Sequence, residues 1–159
     1  MSFSQTELKN VYAHWATGVT IVTTRAGDRI HGMTVSAFSE VSLDPPLVLV
    51  CVDRTSNTLP VLAEGGVFAV NILARDQQAI AQRFACDDEE DRRFLDLDYE
   101  TGETGAPLLA GSAASLDCRL AAAHEAGDHI IYVGEVVGLQ VADAEPLLFY
   151  NREYCGLAE

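Results

Sequence analysis

Apolar, β-branched runs of strand length recur along the chain, and each is cut short by glycine, proline or a turn pair. "GVTIVTT" is rich in valine and threonine, which suit a pleated surface. "AGDR" follows it, with Gly27 and Asp28 as a hairpin turn into a strand over Ile30 to Phe38. "SLDPP" then makes a corner. "LVLVCV" is too uniformly apolar for a half-exposed strand and predicts one paired on both sides. "VFAVNIL", Ala113 to Ala123, His129 to Val141 and Leu147 to Tyr150 continue the series.

Helices are few and short. Ser4 followed by Glu7 is a capping-box pattern, and Leu8, Val11, Tyr12 and Trp15 repeat at helical spacing until Gly18. "SNTLPVLAEGG" predicts a helix with Ser56 near its N-cap, Pro60 in its first turn and Gly65 past its end. "RDQQAIAQRFA" predicts another, with Ile80 and Phe84 on one face. The polar stretch from Cys86 to Pro107 reads as a long surface loop or lid. Six or seven strands with three short helices give a β-rich α+β class, an antiparallel barrel with helical decoration, in a single domain over residues 1–159. The helix-and-strand alternation of a doubly wound sheet is absent.

Charge narrows the partners. The chain carries 24 acidic and 10 basic side chains, a formal net charge of −14. Such a field repels nucleic acid and anionic lipid, so neither is expected as a partner. It also opposes any phosphate-bearing ligand, which makes each arginine worth locating. No apolar run approaches the ~20 residues that span a bilayer, and "MSFSQTELKN" lacks a signal pattern, so a cytoplasmic protein is expected. Cys51, Cys86, Cys118 and Cys155 are scattered without a CxxC pair and read as reduced thiols. "HEAGDH" places His129 one residue too late for a zinc helix begun at His124 and Glu125, and Gly127 disfavours that helix; no metal is expected.

There is no GxGxxG, no GxxxxGK[ST] and no GxSxG. The informative segment is "GMTVSAFSEVSLDPPLVLVCVDRTSNT". Thr34 and Ser36 stand at alternate strand positions, while Gly32 and Ala37 leave room for a flat ring against the backbone. "VDRTSNT" leads into a helix start, where amides and dipole favour an anion, with Arg54, Ser56 and Thr58 beside it. The same residues also fit plain strand surface and an N-cap. His129 opens a strand after the Gly127-Asp128 turn, as a rim residue or as a structural histidine. Tyr150 and Tyr154 fit either core or stacking, and the "DDEED" run (Asp87 to Asp91) reads as a solvated loop before a cation site.

Together "WATGVTIVTT", "HGMTVSAFSEVSLDPPLVLVCVDRTSNT", "FAVNIL", "RFA", "GAPLL", "SLDCRL", "AGDHIIYVGEV" and "PLLFYNREY" resemble, in order, the short-chain NAD(P)H:flavin oxidoreductase family. Its members are flavin reductase components of two-component flavin-dependent monooxygenases, such as the phenol and 4-hydroxyphenylacetate hydroxylases. The resemblance implies an FMN-binding split β-barrel with short peripheral helices, a homodimer, and flavin near the subunit interface. It implies that Gly32, Met33, Thr34, Val35, Ser36, Ala37 and Ser39 follow the flavin ring and ribityl chain. It places Cys51, Val52, Asp53, Arg54, Ser56, Asn57 and Thr58 at the phosphate end, and Arg83, Phe84 and Ala85 at the flavin's border. His129 would sit beside nicotinamide and flavin as the catalytic-site residue, with Tyr154 close by. The implied reaction is NAD(P)H-dependent reduction of FMN or FAD, with reduced flavin released to a separate monooxygenase component. Some relatives carry lysines where this chain has Asp53-Arg54-Thr55, which leaves both flavins open, and no basic cluster awaits a 2′-phosphate, which favours NADH over NADPH. The alternatives are a flavin-binding module without turnover, and a flavoprotein reductase that uses its bound flavin on another acceptor.

Overall fold

The computed structural model describes residues 2–158, apart from the side chain of Glu89. Helix α1 (Gln5–Ala13) starts on the capping box: the Glu7 amide donates to Ser4 Oγ, and the Ser4 amide donates to the Glu7 carboxylate at 2.7 Å. It stops at Ala13, well before Gly18, and buries none of its residues.

The strands are β1 (Thr17–Gly18), β2 (Thr20–Ala26), β3 (Arg29–Val35), β4 (Phe38–Leu43) and β5 (Pro46–Asp53). After helix α2 (Thr58–Gly65) come β6 (Val67–Ile72), helix α3 (Gln78–Ala85), β7 (Tyr99–Thr101) and β8 (Pro107–Leu109). β9 (Ala114–Ala126), β10 (His129–Val141), β11 (Leu148–Tyr150) and β12 (Glu153–Cys155) complete the described chain. Seven strands form one antiparallel sheet in the order β3-β2-β6-β9-β10-β5-β4. Two small sheets, β1-β11-β12 and β7-β8, flank it.

Both glycine turns form as their chemistry demands. Gly27 at φ 58° joins β2 to β3, and Gly127 at φ 66° joins β9 to β10. β5 is hydrogen-bonded on one side to β4 and on the other to β10, as its unbroken apolarity requires. Val48, Val50 and Val52 point into the core, while Leu47, Leu49 and Cys51 form a half-buried second face. The main core gathers Val22, Val35, Val50, Phe68, Val70 and Tyr132 from β2, β3, β5, β6 and β10, with Leu62 from α2. Burying a side chain such as Phe68 contributes about 1.5–3 kcal/mol. A second cluster lies under α3, around Ile21, Leu73, Phe84 and Leu147.

Three local expectations are corrected. The strand expected to run through Phe38 breaks at Ser36-Ala37, so β3 and β4 are separate edges of the seven-stranded order joined by two residues. There the Cys51 amide donates to Ala37 O at 3.0 Å, which brings β5 against the break. Gly65 is not past the end of α2 but its last residue, and Gly66 at φ 64° caps it; at the other end Ser56 stands one residue before the N-cap Asn57, its Oγ accepting from the Thr58 amide at 3.2 Å. The 86–107 stretch is no free lid. It forms a 3-10 turn over Asp87–Arg92 and the strand β7, and it packs Phe94 edge-on against Phe84 with ring centroids 5.1 Å apart. Among the described residues, no helix is long and apolar enough to cross a membrane.

Candidate functional site

Two clefts open on either side of the β3–β4 break. The first, about 620 Å³, lies between α1, the break and the half-buried face of β5, and it is lined mainly by Tyr12, Trp15, Ser36, Ala37, Phe38, Ser39, Leu49, Cys51 and Phe149. The second, about 440 Å³, lies between β3, the start of α2, the end of α3 and the 3-10 turn. Met33, Thr34, Asp53, Ser56, Asn57, Phe84, Ala85, Glu90 and Arg93 are among its walls.

The strand period explains how one pair of strands serves both. At the end of β3 the step from Thr34 to Ser36 in the break, and on β5 the step from Asp53 to Cys51, each leads from the second cleft to the first. The intervening Val35 and Val52 face the core, at 4% and 0% exposure, and touch neither cleft. Gly32 is buried as well. A Cβ there would meet Phe84 Cε1 at 3.0 Å and Val22 O at 3.1 Å, so its smallness serves the packing of α3 on β3 and not the approach of a ring.

Of the hydroxyls expected to face a ligand, those of Thr34, Ser39, Ser56 and Thr58 are already engaged within the chain, while Ser36 stands exposed. Thr34 Oγ1 donates to Ala81 O at 2.6 Å, and Ser39 Oγ donates to Glu40 O at 2.8 Å. Ser56 Oγ donates to Met33 Sδ at 3.2 Å. Thr58 is buried, with its hydroxyl 2.8 Å from His31 Nδ1. Arg54 turns to the β9–β10 hairpin: its Nε donates to Gly127 O at 2.9 Å, and its Nη1 lies 3.3 Å from Glu125. Arg83 donates to Leu95 O at 3.0 Å and lines a small separate pocket with Arg92. His129 opens β10 opposite Asp53, half-exposed, with Nδ1 2.7 Å from Asp128 Oδ1. Tyr154 packs edge-on against Phe149 at 5.1 Å, and burial pushes its phenol pKa up.

Three groups that sequence reading passed over complete the second cleft. His31 Nε2 meets Glu90 Oε1 at 2.6 Å, and Asn57 Nδ2 donates to Glu90 Oε2 at 2.9 Å. The Asn57 hydrogen bond, then those of His31, hold the Glu90 carboxyl below its usual pKa against the opposing cost of its burial. Thr55, through its hydroxyl and its amide, does the same for Asp53. Arg93 is almost wholly buried; Nη1 donates to Gly32 O at 2.8 Å and Nη2 to Cys86 O at 3.2 Å. Nothing in "DDEEDRRF" distinguishes Arg93 from its exposed neighbour Arg92. The Cys51 thiol, at the other cleft, is pushed up by burial and stays protonated.

The first cleft, aromatic-walled and carrying Lys9 and Arg152, suits a flat ring with an anionic tail, whereas the second sets Asp53, Asp87 and Glu90 against Arg93 alone. Comparison with known proteins agrees. Residues 12–158 match the family described as the flavin reductase like domain. FMN reductase (NADH) SmoA of Agrobacterium fabrum is 43% identical over 141 residues, covering 89% of this chain and 79% of that one. HsaB of Rhodococcus jostii, the reductase subunit of a flavin-dependent monooxygenase, is 37% identical over 150 residues, 94% of this chain and 76% of its own. The solved structure of the NADH:FAD oxidoreductase SgcE6 of Streptomyces globisporus superposes with a TM-score of 0.93 at 35% identity, over 100% of this chain and 96% of that one. With the matched region spanning both clefts and all seven strands of the main sheet, the chain belongs to the flavin reductase-like family.

Proposed function

We propose that this protein is an NADH-dependent flavin reductase that binds flavin in the aromatic-walled cleft and passes it on in reduced form. The observation that carries the reading is the aromatic-walled cleft at the β3–β4 break, where Tyr12, Trp15 and Phe149 stand with Lys9 and Arg152 and, among the described residues, no carboxylate. The residues present fit the group. Trp15, Tyr12 and Phe149 offer a flat apolar seat for an isoalloxazine, and Lys9 and Arg152 on the same cleft offer cations to an anionic tail. When bound, flavin supplies the hydride-accepting ring. The chain's part is to hold that ring at the β3–β4 break, to cover it from water, and to place the nicotinamide. His129, on the rim above Asp53, positions the nicotinamide in this reading and is not an obligatory acid.

Two further parts of the proposal concern architecture. The outermost strands β3 and β4 are joined by Ser36 and Ala37 alone, which supports a sheet rolled into a split barrel. Helix α1 leaves Val11, Tyr12 and the adjoining Trp15 exposed at 66%, 65% and 77% beside the ring cleft, which supports a second copy of the chain covering them as a homodimer. The destination of the reduced flavin is a separate monooxygenase component, by analogy with the subunit role of HsaB.

The test mixes purified protein with NADH and excess free FMN or FAD and follows the NADH absorbance. Catalytic loss of NADH that depends on free flavin supports the reductase. Stable flavin binding without NADH loss would point to a binding module, and turnover confined to a second acceptor would point to an enzyme that keeps its flavin.

A further inference from the structure

We infer that Arg152, with Lys9 beside it, is the cation that takes the flavin's phosphate in the aromatic-walled cleft. The inference rests on the flavin reading above and adds to it the residue that tells a phosphorylated flavin from a bare one. The chain has 24 acidic against 10 basic side chains, yet Lys9 and Arg152 both line this cleft and, among the described residues, no carboxylate does. Among the described residues neither of them forms an ion pair, whereas Arg29, Arg54, Arg75, Arg93 and Arg119 each do. Both are exposed, so an arriving anion can reach them.

Two elements bring the cations together. On α1, Lys9, Tyr12 and Ala13 stand at helical spacing and line the cleft, with Trp15 just beyond. Tyr150 pairs with Glu153, which leaves Asn151 and Arg152 as a two-residue turn between β11 and β12. That turn is docked on the same helix: the Asn151 amide donates to Ala13 O at 2.9 Å, and Arg152 Nη2 donates to Asn10 Oδ1 at 2.7 Å. Asn10 adjoins Lys9 in the chain, so the guanidinium is tethered at the Lys9 end of the cleft. The tether is neutral and occupies one nitrogen; it fixes the guanidinium without cancelling its charge.

The backbone of the turn adds a second observation. Asn151 and Arg152 have φ of 49° and 66°, the pattern of a type I′ hairpin turn, which asparagine followed by glycine suits best. An arginine in the left-handed region is strained. Arg152 thus stands where glycine would make the stabler turn, and what it adds there is a charge on the cleft. Turn stability is traded against anion binding.

FMN and riboflavin differ only in the phosphate, so they separate an electrostatic role from a structural one. Binding of each, without NADH, is measured by quenching of flavin fluorescence for the native chain and for Arg152→Gly, Arg152→Lys and Lys9→Met, with a thermal melt of each protein. The native chain binds FMN at least about tenfold more tightly than riboflavin, and the margin shrinks as salt is added. Arg152→Gly weakens FMN about 5- to 30-fold, leaves riboflavin within about twofold and raises Tm by about 1–3 °C. Arg152→Lys recovers part of the FMN affinity, and Lys9→Met weakens FMN about three- to fivefold while sparing riboflavin. Equal weakening of both flavins by Arg152→Gly, or a fall in its Tm, would make Arg152 only a tie to Asn10 and overturn the inference. An Arg152→Gly chain with unaltered FMN affinity and a raised KM for NADH would give the cation to the dinucleotide and overturn it too. A Lys9→Met chain with unaltered FMN affinity would count against it even if Arg152→Gly failed to fold. A native chain that binds riboflavin and FMN equally refutes the phosphate role alone, whereas one that binds neither refutes the flavin reading with it.

Discussion

His31 Nε2 lies 2.6 Å from Glu90 Oε1, and this contact ties edge strand β3 to the turn that follows α3, 59 residues along the chain. Glu90 is also bonded by Asn57 at the start of α2, so one carboxylate clamps three elements around the second cleft. Its pKa is held low in the folded chain, chiefly by Asn57 and then by His31, with a smaller pull from Arg93. A carboxyl with a depressed folded pKa contributes stability that is present above the ordinary glutamate value of 4.5 and is lost as pH falls through the lower folded value. Glu90→Gln keeps the shape but not the charge. It is expected to cost about 1 kcal/mol, or about 2–4 °C in Tm near neutral pH, and to show a smaller loss on acidification than the native chain. Thermal melts across a pH series check this; parallel curves for the two proteins would remove Glu90 from the clamp.

Gly32→Ala tests the packing of α3 on β3. The added methyl would press on Phe84 Cε1, Val22 O and Thr23 Cγ2, at 3.0, 3.1 and 3.3 Å. Overpacking of this kind costs about 1–3 kcal/mol. Urea unfolding measures it, and a change under about 0.5 kcal/mol would show that the ring of Phe84 yields freely.

His129→Ala tests nicotinamide placement. In the proposed reading His129, half-exposed opposite Asp53 with its Nδ1 already bonded to Asp128, contributes binding more than chemistry. KM for NADH is expected to rise about tenfold with kcat within about threefold. Steady-state kinetics decide between the two, and a fall in kcat larger than the rise in KM would assign His129 to the chemical step.

Tyr12→Glu tests the second copy. A charge on the exposed face of α1 would be buried against a partner, and the expected outcome is a shift from dimer to monomer in sedimentation velocity, with weaker flavin binding. A native chain that sediments as a monomer at micromolar concentration would remove the dimer from the proposal.

Local signals were legible in the chain itself. The Ser4–Glu7 box, the Gly27 and Gly127 turns and the two-sided pairing of "LVLVCV" each depend on residues close in sequence. Strand parity was also there to be used. Once Thr34 and Ser36 face a ligand, Val35 must face the core, and Cys51 with Asp53 likewise excludes Val52. A resemblance read segment by segment assigns all of them to the ligand alike. What the sequence could not show is long-range. Arg93 reaches Gly32 across 61 residues, and Arg54 is drawn away by Gly127, 73 residues on. Neither commitment leaves a local pattern, so the exposed-looking arginine of "DRT" and the buried one of "DRRF" read alike.

The Ser36-Ala37 break sets a spacing rule for the whole ligand seat. Because only those two residues carry the chain from one rim of the sheet to the other, a single inserted residue would reverse which side chains of β4 look inward and slide Phe38 and Ser39 of the first cleft away from Met33 and Thr34 of the second. The spacing of the two clefts is thus written into the length of one dipeptide, and this linker would tolerate substitution far better than insertion or deletion.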